Sequence, residues 1–376
     1  MTDDKPLGLG LVGCGGFGLF CMEAFSQLPD VEPVAVADVV PAAAQHAGER
    51  FGVPAFLNPA ELIARDDIDL VHVATPPSTH HELVLAAAAA GKHVLCEKPL
   101  AMNLAQADEM LAAVAQAGVI APVNFVLRYN AVTDAVSAIL ASGVLGQPLS
   151  ARLTNCASDD KLVAEHWFWD KSVSGGIFVE HGVHFFDLYR HWLGPGEVIS
   201  AHTESRGPVD TPKGPVVCED RVTCTLRHQS GAIASHYHGF DQAGPMDRTD
   251  HRIVCELGDI RVAGWIPLSC EIDALVDKAG AADLAQLCSG AEIETIERFP
   301  TGQDILGRGK RRPVTRRVHV RYEPEIDKQA IYAQSVRALL ADQIAYIRDG
   351  SHPRRITEQN GRDAVALAQA AAEMAG

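Results

Sequence analysis

The stretch Leu7–Gly18, LGLGLVGCGGFG, decides how the chain folds. An apolar run ends at Val12, glycines follow at Gly13, Gly15 and Gly18 in a G-x-G-x-x-G pattern, and helix-forming residues come next. That order predicts a buried strand, a tight turn and the mouth of a helix, with a separate task for each glycine. Gly13 makes the turn, Gly15 lets the backbone approach a pyrophosphate, and Gly18 lets helix and strand pack closely, with Gly16 and Phe17 completing the loop. The first turn of the helix then offers unpaired N–H groups and a partial positive charge to the phosphates. Asp38 ends the next apolar run, twenty residues after Gly18, where a carboxylate can accept the ribose hydroxyls. Val39 and Val40 follow it, and no cation appears until Arg50, so the 2′-phosphate of NADP would meet repulsion without compensation. NAD is the cofactor expected here, with NADP the less favoured choice.

Outward from this turn the same texture repeats. PVAVAD, DLVHVAT, KHVLCE and VIAPVNF alternate with Ala-rich helical stretches such as Thr79–Gly91, THHELVLAAAAAG. Continuous apolar strands separated by helices predict a doubly wound α/β domain, with helices covering both faces of a parallel sheet. After about Gly146 the runs alternate in the manner of half-buried strands (LSARLTNCAS, RVTCTLRH, GAIASHYHGF, HRIVCELGDIRVAG), which predicts an α+β domain with a large, mostly antiparallel sheet. Helical spacing returns from Lys328. The expected division is 1–127 for nucleotide binding and 128–376 for substrate and oligomer contacts, with helices in 328–376 packing back on the first domain.

Composition narrows the partners. With 376 residues and 47% apolar content the chain can build two cores. The formal charge, 32 − 48 = −16, repels a phosphate backbone, so nucleic acid is not expected. Nine scattered cysteines without a CxxC pair read as reduced thiols in a cytoplasm. The acidic start MTDDKP is unlike a secretory signal, and no apolar run reaches the roughly 18 residues of a membrane helix. The one dense basic run, RGKRRPVTRR from Arg308 to Arg317, reads as a solvated loop, a nucleic-acid or subunit contact being the alternative.

Two further stretches carry chemistry. KHVLCEKPL places Glu97, Lys98 and Pro99 at the carboxyl end of a strand, where open parallel sheets bind ligands. Pro99 disfavours helical geometry at Lys98. A surface ion pair of small worth is the competing reading.

The second stretch is Ser174–Trp192, SGGIFVEHGVHFFDLYRHW. A metal site would draw on His181, His184 and His191, with Glu180, Asp187 and His166. On a helix turning about 100° per residue, His181 points roughly 60° away from His184, and no His-x-x-x-His pair occurs, so no metal is expected. An amphipathic helix with Ile177, Val183, Phe186, Leu188 and Trp192 in the core accounts for His181 and His191. Acid–base chemistry is the reading for Glu180 and His184, four residues apart. Histidine titrates near working pH, and a neighbouring carboxylate orients its ring.

GLVGCGGFG, ATPPSTHHELVLAAAAAGKHVLCEKPLAMN and SGGIFVEHGVHFFDL together resemble the successive signatures of the family named for glucose-fructose oxidoreductase, inositol dehydrogenase and rhizopine catabolism (Gfo/Idh/MocA). The likeness runs from about Leu7 to Gly194 and recurs at the C-terminal helices, roughly two thirds of the chain. It implies a Rossmann domain, a second domain with a large sheet, and NAD(P)-dependent oxidation of a sugar or cyclitol hydroxyl. By the same resemblance Lys98 meets the reacting hydroxyl, Glu97 lies beside it, and Thr75, Pro76, Pro77 and His80 lie along the cofactor. The family pattern GG-x-x-x-D-x-G-x-H-x-x-D falls on Gly175, Gly176, Glu180, Gly182, His184 and Asp187, with Glu180 where Asp is usual. A homodimer or homotetramer formed through the exposed sheet face is implied as well. Asn124, Arg128, His166, Trp167, Asp170 and His238 are further pocket candidates for which packing is an equal alternative. Two other functions stay open: a hydrolase or lyase that oxidises its substrate transiently with NAD, and a dinucleotide sensor.

Overall fold

The computed structural model describes residues 5–160, 162–210, 214–307 and 310–376. The apolar runs of the N-terminal third become short parallel strands: β1 (Leu7–Val12), β2 (Val31–Ala37), β3 (Ala55–Phe56), β4 (Leu70–Val73) and β5 (His93–Cys96). Their order is β3-β2-β1-β4-β5, and every pairing is parallel. Leu9, Leu11, Val36, Val71 and Val94 are fully buried, as a sheet covered on both faces requires. The chain leaves β1 toward β2 on one side and reaches β4 on the other. The carboxyl ends of β1 and β4, at Gly13 and Ala74, therefore form the switch point where such sheets bind ligands.

The remaining strands are β6 (Pro148–Ser158), β7 (Gly196–Val209), β8 (Val216–His228), β9 (Ile233–Gln242), β10 (Arg248–Cys255), β11 (Gly258–Ala263), β12 (Ser269–Val276), β13 (Glu292–Gly307) and β14 (Lys310–Tyr322). Among the described residues they form a nine-stranded sheet, β13-β14-β12-β11-β10-β6-β9-β8-β7. Its pairings are antiparallel except β6 with β9. Burial alternates strictly along β12, with Cys270, Ile272, Ala274 and Val276 inward. The other face is laced with charge: Arg252 and Arg261 meet Asp259, and Arg261 and Arg317 each stand 3.5 Å from Asp273.

The basic run differs from the loop expected. Arg308 lies outside the described residues, but Lys310–Arg317 belongs to strand β14. Val314, Val318 and Val320 are its buried positions, while Arg312 pairs with Glu256 and Arg317 with Asp273. Charge density hid a strand in which Arg312 is paired with Glu256 of the turn after β10 and Arg317 with Asp273 of the adjacent β12.

The chain divides into two compact units. The first holds the segment up to Val126 together with His166–Asp187 and Tyr332–Gln369; the second holds Leu127–Glu165, Leu188–Ile331 and Ala370–Gly376. Three of the boundaries fall inside the helices Val183–Leu193, Lys328–Arg348 and Glu358–Ala375, and the first unit gathers three separate stretches of the chain. Within the first unit the C-terminal segment is tied to the Rossmann portion by specific bonds. The main-chain N–H of Ala121 donates to Glu358 at 3.0 Å and that of Leu104 to Gln369 at 2.8 Å, while the Tyr332 ring lies 5.6 Å from Phe17 and 5.1 Å from Phe20. Among the described residues no helix is long and apolar enough to cross a membrane. All nine cysteines are buried and unpaired.

Candidate active site

The glycines of the first turn separate by the space around them. At Gly13, φ is 97°, and an added Cβ would stand 2.5 Å from the Ala74 carbonyl oxygen. At Gly18 it would stand 2.3 Å from the Gly13 oxygen. These two are fixed by packing, whereas an added Cβ at Gly15 or Gly16 meets nothing within 4 Å. Gly15 caps helix Gly16–Phe25 without a side-chain bond, so the first-turn N–H groups face an open cradle suited to an anionic pyrophosphate. At the end of β2 the Asp38 carboxylate is held by two main-chain donors, Cys14 and Val40, each at 2.8 Å. Phe17 is half-buried against Tyr332. The residues present fit a bound NAD.

Past β4, Thr75 is half-buried, Pro76 exposed and Pro77 buried. His80 is fully buried, with Nδ1 2.7 Å from the Pro99 carbonyl oxygen and Nε2 2.8 Å from that of Thr75. Burial holds its pKa below the ordinary value.

Past β5, Glu97 turns inward. Its Oε1 accepts from Asn124 Nδ2 at 2.7 Å and lies 3.2 Å from His72 Nε2. Cys21, His72 and Glu97 bring donor atoms within 4.8 Å of one another, a metal-type set among the described residues. The Asn124 amide nitrogen lies 3.9 Å from the Cys21 sulfur as well as bonding Glu97, so its hydrogens occupy the space between them. Neither His72 nor Cys21 was a sequence candidate. The available signal was a histidine in the middle of an otherwise apolar strand, DLVHVAT, where burial demands a partner.

Lys98 extends the other way. Its Nζ bonds the Glu180 carboxylate and, at 3.1 Å, the Glu180 main-chain oxygen. His184 is buried in the same unit, its ring edge-on to Phe125 at 6.2 Å between centroids. Burial first, and the Lys98 charge second, hold its pKa well below the usual histidine value. It is therefore a neutral imidazole at neutral pH.

The opening half of Ser174–Trp192 is not a simple α-helix. Gly175 and Gly176 take positive φ (82° and 83°), residues Phe178–Gly182 form a π-helical turn, and the α-helix begins at Val183. A π turn bonds i to i+5, so the 100° spacing that put Glu180 and His184 on one face does not run through it. Such turns are frequent at functional sites. The three histidines disperse. The rings of His181 and His184 are 6.4 Å apart at 75°, and His191 belongs to the second unit, 3.0 Å from Ser137 Oγ and 3.4 Å from Arg128 Nη1. His166 and Asp170 act as caps, accepting from Phe168 at 3.2 Å and Ser172 at 2.9 Å, and His166 leans on Trp167. Asp187 is buried.

Arg128 and His238 lie in the second unit. His238 is fully buried beside His236, which in turn lies 4.4 Å from the Tyr189 ring. His238 and His251 have pKa values pushed down to about 3, chiefly by burial.

Residues 7–125 match the family described as "Oxidoreductase family, NAD-binding Rossmann fold", and residues 133–261 match the GFO/IDH/MocA C-terminal domain. The chain is 32% identical over 241 residues to the myo-inositol 2-dehydrogenase of Thermotoga maritima, a match covering 62% of this chain and 70% of that protein. It is 30% identical over 260 residues to the levoglucosan dehydrogenase of Pseudarthrobacter phenanthrenivorans, covering 61% and 67%. A levoglucosan dehydrogenase structure in complex with NADH and L-sorbose superposes with a TM-score of 0.78 at 21% identity, covering 99% of this chain and 97% of that one. With both portions of the chain matched and a glycine cradle that fits the cofactor, the chain belongs to the GFO/IDH/MocA family of oxidoreductases with an NAD-binding Rossmann domain.

Proposed function

We propose that the protein is an NAD-dependent dehydrogenase that oxidises a secondary hydroxyl of a sugar, sugar derivative or cyclitol, with Lys98 and His184 at the reacting hydroxyl. The observation that carries this reading is the neighbourhood of a cation and a neutral base: Lys98, held by Glu180, and His184, whose pKa Lys98 helps to depress. Bound NAD supplies the hydride acceptor; this chain's residues deal with the proton. As the carbinol C–H bond breaks, the hydroxyl proton passes to the neutral His184 ring, and Lys98 stabilises the oxygen as it takes on alkoxide character. Glu180 directs the Lys98 ammonium group. His166 and Trp167, in the same unit, are proposed to border the substrate, while Asn124 acts from behind by fixing Glu97.

The substrate class is supported by the relatives, which are named for myo-inositol, levoglucosan and D-apiose. Those names describe net oxidations, which favours a dehydrogenase over an enzyme that returns the hydride within one cycle. The charge-laced face of the large sheet is the surface proposed for a homodimer or homotetramer, and the unpaired thiols suit a cytoplasmic location. The test is a polyol and sugar panel with NAD, followed by reduced-cofactor absorbance. Turnover with a cyclitol or pyranose is expected, and silence across a broad panel would overturn the reading.

A further inference from the structure

We infer that Tyr332 is a positioning residue for the cofactor cradle and acts through Phe17. The role rests on the assignment of NAD to the glycine turn and not on the substrate. From Gly15 to Gly18 the chain reads GGFG, so Phe17 is the one side chain there that can pin the first turn of the helix. The glycines give that turn room for a pyrophosphate, since an added Cβ at Gly15 or Gly16 meets nothing within 4 Å. The same freedom is a liability, because glycine loses more conformational entropy on ordering than any other residue. A cradle held in place before the ligand arrives spares the binding energy that its ordering would consume.

The hold comes from the far end of the chain. The Phe17 ring lies 5.9 Å from Phe20 on the same helix, and the Tyr332 ring lies 5.6 Å from Phe17 and 5.1 Å from Phe20, so the three close into one aromatic cluster. All three belong to the first unit, and each is half-buried. Ring pairs at such separations attract beyond the area they bury. Tyr332 is itself anchored by its helix, Lys328–Arg348, in which Val336, Leu339 and Leu340 are fully buried. Beyond the glycine helix, Arg337 Nη1 donates to Gln27 Oε1 at 2.9 Å and Arg348 bonds the Asp30 carboxylate. Phe17 also lies in the first helical turn, whose N–H groups lack intrahelical partners, so holding its ring aims a phosphate donor.

Tyr332→Ala is expected to weaken NAD binding by about threefold to tenfold, the range an aromatic pair supplies, while Tyr332→Phe keeps the ring and should bind within about twofold of the parent. Phe17→Ala should weaken NAD as well. Adding Tyr332→Ala to it should cost little more, because the tyrosine then has no Phe17 ring to hold. Arg337→Ala loosens the same helix away from the turn and should leave NAD affinity at the parent value. The measurements are NAD dissociation constants by calorimetric titration of the full chain, with thermal scans of the cofactor-free protein to establish folding. A merely structural tyrosine would lower the thermal midpoint without this pattern of affinities. The coupling is overturned by unchanged affinity in folded Tyr332→Ala, by an equal loss in Tyr332→Phe or Arg337→Ala, or by losses that add in the double variant. Should Tyr332→Ala not fold, Tyr332→Leu, which keeps an apolar side chain without the flat ring, decides by the same comparisons. If the parent binds no NAD, the cofactor assignment fails and the coupling with it. If the parent binds NAD but oxidises no polyol, the functional reading fails alone.

Discussion

Lys98 Nζ is bonded twice by one residue, to the carboxylate of Glu180 and to its main-chain oxygen at 3.1 Å. The carbonyl bond survives any side-chain change at position 180; the carboxylate bond does not. Glu180→Gln should therefore leave Lys98 near its place while removing the carboxylate that directs its ammonium group. We expect kcat to fall by roughly tenfold or more, as charge-directed groups in a site typically contribute. Glu180→Asp, one methylene shorter, should lose the carboxylate bond and behave much like Glu180→Gln. A kcat equal to the parent's in both variants would show that the pair does not position Lys98.

His184→Gln tests the proposed proton acceptor. Loss of a general base costs about 10²–10⁴ in rate, and NAD affinity should be unchanged because the cofactor is assigned to the glycine turn and Asp38. The pH dependence has a definite sign. Burial and Lys98 lower the His184 pKa, so the ring stays neutral, and active, to lower pH than an ordinary histidine. The acid limb of kcat/KM in the unmodified protein should lie below about pH 6.5, and it should vanish or shift in His184→Gln.

The glycine turn offers a prediction in which two like substitutions behave oppositely. A Cβ at Gly15 meets nothing within 4 Å, whereas one at Gly18 falls 2.3 Å from the Gly13 oxygen. Gly15→Ala should leave the thermal midpoint of the cofactor-free protein nearly unchanged yet weaken NAD, since the methyl group stands where the pyrophosphate must approach. Gly18→Ala should lower the midpoint even without NAD. Scans with and without cofactor separate the two, and equal losses in both conditions for Gly15→Ala would contradict the cradle.

Much of this was legible before any coordinates, and what was not has physical causes. The period of the apolar runs revealed both sheets, because a strand buried on two faces and one buried on one face leave different traces, as in Leu7–Val12 and Ser269–Val276. The position of Lys98 past the end of a strand was legible because Glu97, Lys98 and Pro99 are consecutive in sequence. The partner of Glu180 was not, because the π turn at Phe178–Gly182 leaves no signature in a pattern read at 3.6 residues per turn. The Cys21, His72, Glu97 and Asn124 cluster was hidden for another reason: its members come from four separate elements and meet only in the folded unit. The strand within Arg308–Arg317 was masked by charges whose partners lie elsewhere in the chain, Arg312 on Glu256 and Arg317 on Asp273.

The buried histidines of the second unit make stability depend on acid. His238 and His251 are fully buried, with pKa values pushed down to about 3, and His236 is likewise held well below its usual value, in each case mainly by burial. In the unfolded chain each returns to about 6.5. Between those values the unfolded state binds more protons than the folded one, so unfolding free energy must fall as pH falls. The contributions of His238 and His251 are complete above about pH 6.5 and drain away toward pH 3, by at most about 1.4 kcal/mol per pH unit per group, and His236 adds a loss of the same sign. Urea midpoints taken from pH 7.5 down to pH 4.5 should decline steadily. His238→Leu, whatever it costs at pH 7.5, should make that decline shallower, because one titrating ring is gone. A parallel decline in parent and variant would mean that His238 is not among the groups whose protonation opens the sheet.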